Sequence, residues 1–584
     1  MRSSVDETQR VELLMDLAYT MAREGIAFNK FGVLAELQKR AGVKLGKTYL
    51  NKDAAKELTM TLGETMKDAL KEELSSAEFV TVLVDGSTDC SVTEKELVYA
   101  RFVNGIGHVC TKMIALKDVA RANADGLLRV LSDSFIDAGL TDYTQKLVGF
   151  MSDGASVNFG SKSGLLTKLQ TEAGMPWIVG IHCLNHRLEL AVKDAFGKTP
   201  FDDICTLLNN IHSVFERSPK RLRTLQDVAA VLKESCRKPA RSNGTRWIQH
   251  KVEAVSIVLK QYGLIVSTLA SITDDAKIVG YAKRLSSLKT LLFMQLFHTL
   301  LQPVSNLSKH MLGESVNLLQ AQAALEAALI TLQNGKETIY TGQLGEVVSA
   351  ATEKLQSADG TDGTEVHIEF QSVTVNKLKE GMQDFESHAT KLVNTLSTQI
   401  TLRFSDILVQ GQAKQSPVLG AIRVLDLKTW PNNKDDLQHF GEKELTSVLQ
   451  QYELLLPGKI VTSDVLGEWL ELKMFVSDTM KHLTSEECWT ALSQGTAYKN
   501  AVKVLNLLRI FPASNAVLKR CFSTMTKVKN DWRNRLGEQE LEHLIWLKKK
   551  GPFPGTAAAS SLIRLAADKF FKTKPRRGEV PRVQ

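Results

Sequence analysis

Two aspartates follow apolar, β-rich runs of the sequence, at the points where strands would end. The run 79–84 leads into Asp85, and the run 146–151 leads through Ser152 to Asp153. Carboxylates at the ends of neighbouring strands can hold two Mg²⁺ ions roughly 3.5–4 Å apart, which is the arrangement that in-line phosphoryl transfer needs. An aspartate at a strand end is also common as a turn residue or as a helix cap. The spacing alone leaves both interpretations open.

The segments around these acids predict a mixed sheet. Strand-like runs occur at 79–84, 97–103, 108–116, 146–151 and 177–181, and helical spacing occurs at 57–74, 123–138, 165–170 and 185–196. The short link at 104–107, Asn-Gly-Ile-Gly, is typical of a hairpin, so the strands beside it should pair antiparallel. Helical crossovers between the later strands favour parallel pairing. This is the element order of a ribonuclease-H-like α/β core.

Further along the chain the pattern changes to long stretches with helical spacing and few strand signals. A polar cluster at 358–363 predicts a disordered excursion within them. We predict an N-terminal helical segment (1–75), the first part of the core (76–250), a large all-α insertion (251–487), a helical C-terminal region that completes the core (488–552) and a basic tail (553–584).

Charge is distributed unevenly along the chain, whose net charge is +8. Lys and Arg exceed Asp and Glu most strongly after Lys499, and a basic cluster surrounds the proline within 572–577. Such asymmetry indicates a polyanionic partner or a nuclear address, although a solvated basic tail has the same composition. The seven scattered cysteines favour a reducing compartment. We therefore expect a nuclear protein, or one shared between nucleus and cytoplasm, with no membrane partner because no window has the roughly 20 apolar residues of a span.

Short motifs occur in the order found in hAT-family DNA transposases, and the chain resembles that family over most of its length. These motifs are VDGSTD at 84–89, SDGA at 152–155 followed by Asn158, CLNH at 183–186, TRW at 245–247, and a C-terminal series within 512–536 that includes PASNA, RCFS, Lys529 and RNRL. The resemblance implies a ribonuclease-H-like fold, an origin in a transposable element, and a C-terminal dimerisation region.

The resemblance also implies roles for single residues. Asp85 and Asp153 match the first two metal-binding acids of the family, and Cys183 and His186 match its CxxH motif beside the active site. Trp247 matches a tryptophan that handles an unpaired base. Each position also has a structural interpretation: Trp247 as a core anchor, and the CxxH pair as packing and a hydrogen bond at a helix start. A structural zinc ion would need a second pair of ligands at suitable spacing, which the sequence does not offer.

The third metal ligand is the point where the sequence departs from the family. In the pattern S-N-A-x-x-E-R-x-F-S, the glutamate position is occupied here by Lys519. This replacement changes the local charge by two units, and metal cations beside an ammonium group repel it. We therefore expect a domesticated protein that does not cut DNA and needs no cofactor. The alternative is an active nuclease using Mg²⁺ or Mn²⁺, with Asp89 or Glu94 replacing the lost ligand.

Nucleic acid is a second expected partner. The first cysteine is Cys90, so we expect no zinc-binding finger ahead of the core. What remains is attraction to phosphates through the basic stretch 217–246. The same basic residues could equally form the solvent-exposed face of an ordinary helix. The candidate DNA contacts are Lys220, Arg221, Arg223, Arg241, Arg246 and Trp247.

The C-terminal region is expected to join copies of the chain into a homodimer or a larger assembly. It has more apolar helical surface than one short helix can bury, so part of this surface could face a partner. The candidate residues for dimerisation are Phe511, Leu518, Phe522, Leu541, Leu544 and Ile545. A decayed element with no selected role is a third possibility, besides a binding protein and an enzyme.

Overall fold

The computed structural model describes residues 2–573 except 198, 243–246, 314–315, 335–341, 358–365, 384, 409–415 and 532. The predicted excursion at 358–363 and the end of the predicted tail beyond 573 lie outside these residues. The chain forms two compact units. The sheet unit comprises Met1–Cys183 and Ala421–Gln584, and the helical unit comprises Leu184–Gly420.

The first part of the sheet unit alternates helices and strands. Its elements are α1 (Arg2–Glu24), α2 (Phe31–Arg40), α3 (Lys52–Ser76), β1 (Val80–Thr88), β2 (Glu94–Val103), β3 (Val109–Asp118), α4 (Ala124–Asp137), β4 (Leu147–Ser152), α5 (Ser156–Phe159), α6 (Leu165–Thr171) and β5 (Val179–His182).

These strands form one mixed sheet in the order β3-β2-β1-β4-β5. β2 pairs antiparallel with β1 and with β3, whereas β4 pairs parallel with β1 and with β5. The predicted mixed α/β sheet is therefore confirmed. β1 is central, and its residues Val80 to Asp85 are all buried, as expected for a strand covered on both faces. Two boundaries differ most from the prediction. β1 continues through Asp85 to Thr88, so Asp85 lies within the strand and not at its end, and β2 begins at Glu94 and not at 97.

The helical unit continues the chain after β5. Its elements are α7 (Leu184–Phe196), α8 (Phe201–Glu216), α9 (Pro219–Leu232), α10 (Trp247–Lys260), α11 (Tyr262–Ser271), α12 (Ala276–Leu285), α13 (Leu288–Met311), α14 (Leu318–Gln333), α15 (Gly342–Ser357), β6 (Ile368–Phe370), β7 (Val373–Val375), α16 (Leu378–Met382), α17 (Phe385–Arg403) and α18 (Pro417–Ala421).

The helical unit spans 184–420, whereas the predicted insertion spanned 251–487. The difference arises because α7 packs against α17 and α8 packs against α9 and α10, so these early helices share the core of the helical unit. Among the described helices, no single one is long and apolar enough to cross a membrane. One bent pair, Ile248–Lys260 with Tyr262–Ser271, has the length and the apolar composition of a membrane span when its two helices are taken together.

The chain then returns to the sheet unit. Its remaining elements are two short 3₁₀ turns (Ile422–Leu425 and Leu427–Thr429), α19 (Lys434–His439), α20 (Glu442–Gln451), α21 (Thr462–Thr479), α22 (Ser485–Gln494), α23 (Lys499–Arg509), α24 (Ala516–Val528), α25 (Glu538–Lys550) and α26 (Ala557–Thr573).

The C-terminal helices pack onto the sheet and onto the N-terminal helices. α24 packs on β1 and β2, and α25 packs on β3 and α3. α26 packs on α1 and α3, and its buried side chains include Ile563 and Phe570. The predicted basic tail, 553–584, is therefore partly a packed helix, because its apolar residues recur at helical spacing among the basic ones.

Candidate functional site: an acidic cluster facing a lysine

The structure brings the two predicted acids to the same edge of the sheet. Leu83 of β1 lies opposite Met151 of the parallel strand β4. Asp85 and Asp153 each follow two residues later, so their parallel strands deliver them side by side. Asp85 is 8% exposed, and Asp153 is half-buried in the turn after β4.

The turn after β4 holds one oxygen of Asp153. The backbone N–H of Ala155 donates a hydrogen bond to Oδ1 of Asp153 at 3.0 Å, and Nδ2 of Asn158 donates to Oγ of Ser152 at 2.7 Å. Gly154 has a φ of +83°, and any Cβ at this position would collide with the ring of His182. Gly154 in the Ser152-Asp153-Gly154 sequence is thus required by the backbone geometry of the turn, whatever the role of Asp153.

A third carboxyl group, that of Glu96, lies at this edge and was missed by the sequence analysis. Gly86 pairs with Glu96 across β1 and β2, and Oε2 of Glu96 lies 3.0 Å from the place that a Cβ at Gly86 would take. Glu96 is 6% exposed. Its burial raises its pKa to about 8, and the charges of Asp85 and Asp153 act in the same direction. The register of the β1–β2 hairpin was the signal that could have found it.

Lys519 faces this cluster from α24, the helix that packs on β1. Burial raises the pKa of Asp85 to about 7; the positive charge of Lys519 opposes that rise, and the negative charge of Asp153 adds to it. Lys519 is therefore within electrostatic range of Asp85, as the resemblance implied for this position. The arrangement is three carboxyl groups and one ammonium group at the end of a sheet.

The three carboxyl groups of this arrangement are not grouped around one point. Among the described residues, no group of three or more His, Cys, Asp or Glu side chains is placed to hold a metal ion. A divalent cation would also meet the positive charge of Lys519 at the position where the family has a ligand.

Cys183 connects the sheet edge to the start of α24. Its Sγ donates a hydrogen bond to Oδ1 of Asn515 at 3.0 Å, and its backbone N–H donates to the carbonyl oxygen of Ser152 at 2.9 Å. Cys183 and Asn515 are both buried. This supports the packing interpretation of Cys183. His186 is half-buried on α7 and belongs to the helical unit.

Asp89 and Glu94, the expected substitutes for the lost ligand, do not take that place. Oδ2 of Asp89 accepts a hydrogen bond from Nζ of Lys529 at 2.6 Å, and its Oδ1 accepts from the backbone N–H groups of Ser91 and Thr93. Although burial acts against it, the hydrogen bond from Lys529 lowers the pKa of Asp89. Glu94 is exposed at the first position of β2. Glu96 is instead the additional acid beside Asp85.

The predicted dimerisation side chains lie mostly inside the sheet unit. Phe511, Leu518, Leu541, Leu544 and Ile545 are buried, and Phe522 is half-buried. They are packed against their own chain because α24 and α25 bury their apolar faces on the sheet and on α3. These five side chains are not available to a partner in this conformation, which corrects the residue assignment.

The predicted DNA contacts are only partly available. Lys220 and Arg223 are exposed on α9, and Arg241 is exposed after it. Arg221 instead pairs with Asp275 at 3.1 Å. Arg246 lies outside the described residues, and so does the side chain of Trp247, although its backbone begins α10.

Ion pairs reduce the positive charge of the remaining basic stretch. Arg237 pairs with Glu253 at 2.6 Å, and Lys238 pairs with Glu216. The net positive surface is therefore smaller than the sequence alone indicates.

Comparison with known families adds one finding. The model of a family described as ZMYM1/FAM200, RNase-like domain (DUF4371), matches residues 40–163. The chain is similar to this RNase-like family. The matched range contains β1 to β4 and both aspartates, whereas α24 with Lys519 lies beyond it. The match indicates a transposase-derived protein.

Proposed function

We propose that this protein is a domesticated hAT transposase whose ribonuclease-H-like scaffold no longer cuts DNA, because Lys519 takes the place of the metal. One observation carries the proposal: the charge of Lys519 acts on Asp85 within a cluster that also contains Asp153 and Glu96. The positive charge of Lys519 partly offsets the negative charge of Asp85. The scaffold would then act as a binding protein.

Electrostatics explains why the lysine and the metal exclude each other. Two unit charges 4 Å apart interact by about 4 kcal/mol at an effective dielectric constant of 20. A divalent ion at that distance from an ammonium group would therefore meet a repulsion of about 8 kcal/mol. A carboxylate at the same distance attracts the ion by a similar amount, so Lys519 cancels about as much attraction as one carboxylate ligand supplies, besides removing the third ligand itself.

A cleavage assay tests this proposal directly. Wild-type protein is incubated with hairpin and nicked DNA, with Mg²⁺ or Mn²⁺ and with a chelator as the blank. We expect cleavage equal to the chelator blank. Metal-dependent cleavage that Asp85→Asn abolishes would show that the site is active and would contradict the proposal.

Two variants of Lys519 separate the loss of a ligand from the gain of a charge. Lys519→Gln removes the charge without adding a ligand, and Lys519→Glu restores the family's acid. We expect Mn²⁺ binding, measured by paramagnetic resonance, to increase from wild type to Lys519→Gln and again to Lys519→Glu. Equal binding by all three proteins would mean that Lys519 does not control the site.

A metal-dependent nuclease is a second candidate, and the position of Glu96 favours it. Glu96 adds a buried carboxyl group beside Asp85 and Asp153. Within the described residues, Oδ1 of Asn158 and Nδ2 of Asn515 are also buried without a hydrogen-bond partner, and such atoms are common where an ion or water is bound. In this case Mn²⁺-dependent cleavage by wild-type protein should be lost in Glu96→Gln and increased in Lys519→Gln.

We further propose that the protein self-associates, binds nucleic acid without sequence preference, and acts in the nucleus. The resemblance of the 488–552 region to the hAT dimerisation region and the exposed Lys220, Arg223 and Arg241 support these proposals. Light scattering after gel filtration tests the first; a monomer at micromolar concentration would contradict it. A binding constant that falls with salt, with a slope near −0.9 per phosphate contact, tests the second.

A further inference from the structure

A buried thiol and a buried amine meet in the core of the helical unit. Nζ of Lys251 on α10 donates a hydrogen bond to Sγ of Cys205 on α8 at 3.1 Å. Lys251 is 5% exposed and Cys205 is 6% exposed. Nζ also lies 5.0 Å from the ring centroid of Phe201. Lysine is almost never buried to this extent without a partner, and the contact with Sγ of Cys205 is one of the interactions that hold this amine in the core.

We propose that Cys205 and Lys251 form a covalent sulfenamide cross-link when hydrogen peroxide oxidises the thiol. The geometry points to this pair, because the nitrogen lies in hydrogen-bond contact with the sulfur that would be oxidised. The proposal is independent of the transposase-derived function and of the acidic cluster.

The chemistry balances in two steps. In the first, the sulfur of Cys205 attacks hydrogen peroxide, the O–O bond breaks, and sulfenic acid and one water form; sulfur is oxidised by two electrons and the peroxide is reduced. In the second, the ammonium group of Lys251 gives up one proton to solvent and its nitrogen attacks that sulfur; the S–O bond breaks, and hydroxide leaves with a further proton from nitrogen as a second water. Sulfenic acids condense in this way with nitrogen nucleophiles.

Proximity decides the fate of the sulfenic acid. Further oxidation to sulfinic acid needs a second peroxide molecule from solution, whereas the amine is already in place, and well-oriented intramolecular reactions have very high effective concentrations. A disulfide is not the competing product, because the burial of Cys205 in its own core keeps other thiols from reaching it. We therefore expect the cross-link in preference to over-oxidation.

The cross-link would join α8 to α10 and close a loop between residues 46 apart in sequence. The basic stretch 217–246 lies within that loop. A covalent bond across such a loop restricts the unfolded chain, as a disulfide does. Oxidation should therefore raise the melting temperature of the helical unit by several degrees.

Peptide mapping of the full chain tests the proposal. The protein is treated with hydrogen peroxide, remaining thiols are alkylated, and trypsin releases peptide 199–217, in which Cys205 is the only cysteine. We expect this peptide to be joined to Trp247–Lys260 through Lys251, with a combined mass lower by two hydrogen atoms than the sum of the two peptides. Dithiothreitol should release both peptides, since a thiol displaces the amine from sulfur.

Lys251→Arg is the matched control. It keeps a positive charge, but guanidinium is not a nucleophile under these conditions, so no joined peptide and no rise in melting temperature should follow oxidation. Circular dichroism before oxidation establishes that the variant is folded. The result with wild-type protein stands even if the variant does not fold.

Two outcomes would overturn the proposal. One is an unmodified Cys205 at a peroxide dose that oxidises the exposed Cys236. The other is sulfinic acid at Cys205 with no joined peptide in wild-type protein.

Discussion

Two neighbouring parts of the β1–β2 hairpin, the Asp85–Glu96 cluster and the turn at Asp89, use acids in opposite ways. Asp85 and Glu96 are buried with their charges incompletely compensated, and their pKa values are raised to about 7 and about 8. Asp89, four residues beyond Asp85, is just as buried, yet its pKa is lowered by Lys529. The difference shows that burial alone does not decide the charge state of a carboxyl group. Direct hydrogen bonds to the carboxylate decide it. Asp89 therefore behaves as one half of a structural ion pair. In the cluster, Asp85 and Glu96 have the raised pKa values that are typical of a functional site.

Among the substitutions that test this comparison, Lys529→Ala should lower the free energy of unfolding most. It removes the hydrogen-bonded cation of Asp89 and leaves only the more distant Lys95, whose Nζ lies 3.9 Å from Oδ2 of Asp89. Breaking a buried pair costs about 3–5 kcal/mol, so we expect a loss toward the lower end of that range. Hydrogen exchange of the β1 and β2 amides measures the local free energy of opening. The double variant Asp89→Asn with Lys529→Met should recover much of the loss. A loss below about 1 kcal/mol for the single change would contradict the structural role of the pair.

Glu96→Gln should stabilise the sheet unit at high pH. A raised pKa in the folded state means that the stability contributed by protonated Glu96 is complete below pH 4.5, falls as pH rises, and is lost above about pH 8. Since one pKa unit corresponds to about 1.4 kcal/mol, the rise from 4.5 to about 8 sets an upper limit of about 5 kcal/mol on the gain over wild type at pH 9, with little gain at pH 4.

Asp89→Asn is the control with the opposite sign. The lowered pKa of Asp89 contributes stability above its ordinary value of 3.8, and this stability is lost as pH falls through the folded-state pKa. The asparagine variant should be less stable than wild type at pH 7, and the difference should shrink in acid. The same direction of pH dependence in both variants would mean that the two regions do not differ.

Lys519→Gln should have a smaller effect that depends on pH. Without the ammonium group, the pKa of Asp85 should rise above 7, because Lys519 holds it down. The variant should lose about 1 kcal/mol at pH 8, a value reduced by the partial exposure of the lysine, and almost nothing at pH 5. Carbon-13 titration of the Asp85 carboxyl group measures the shift directly. An unchanged pKa of Asp85 in the variant would show that Lys519 does not act on the cluster.

Glu94→Gln should have the smallest effect. Glu94 is only two residues from Glu96, but it is exposed at the start of β2. Its replacement should change the free energy of unfolding by less than about 0.5 kcal/mol at any pH, as most surface substitutions do. A pH-dependent gain like that of Glu96→Gln would show that the pairing of β2 with β1 is shifted by two residues.

The mixed sheet and the two aspartates were predictable from the sequence. Apolar runs that lead into Asp85 and Ser152-Asp153 specify strands locally, and connection rules then indicate which strands pair. The end of β1 was not predictable in this way, because cross-strand pairing with β2 carries it past Asp85 to Thr88. The motif order also predicted that Lys519 would face Asp85. These features depend on neighbours in sequence or on a pattern that the sequence displays.

Only the tertiary structure decided which other residues join or leave the site. Glu96 became part of the cluster through its register opposite Gly86, which the polar residues at the start of β2 concealed. Asp89 was removed from the site by Lys529, 440 residues away. The apolar residues of α24 and α25 were buried by their own sheet and helices. The hydrophobic effect depends on how much apolar area is removed from water and not on which surface covers it. An amphipathic sequence therefore specifies that one face of a helix is buried, and only the folded chain specifies which elements bury it.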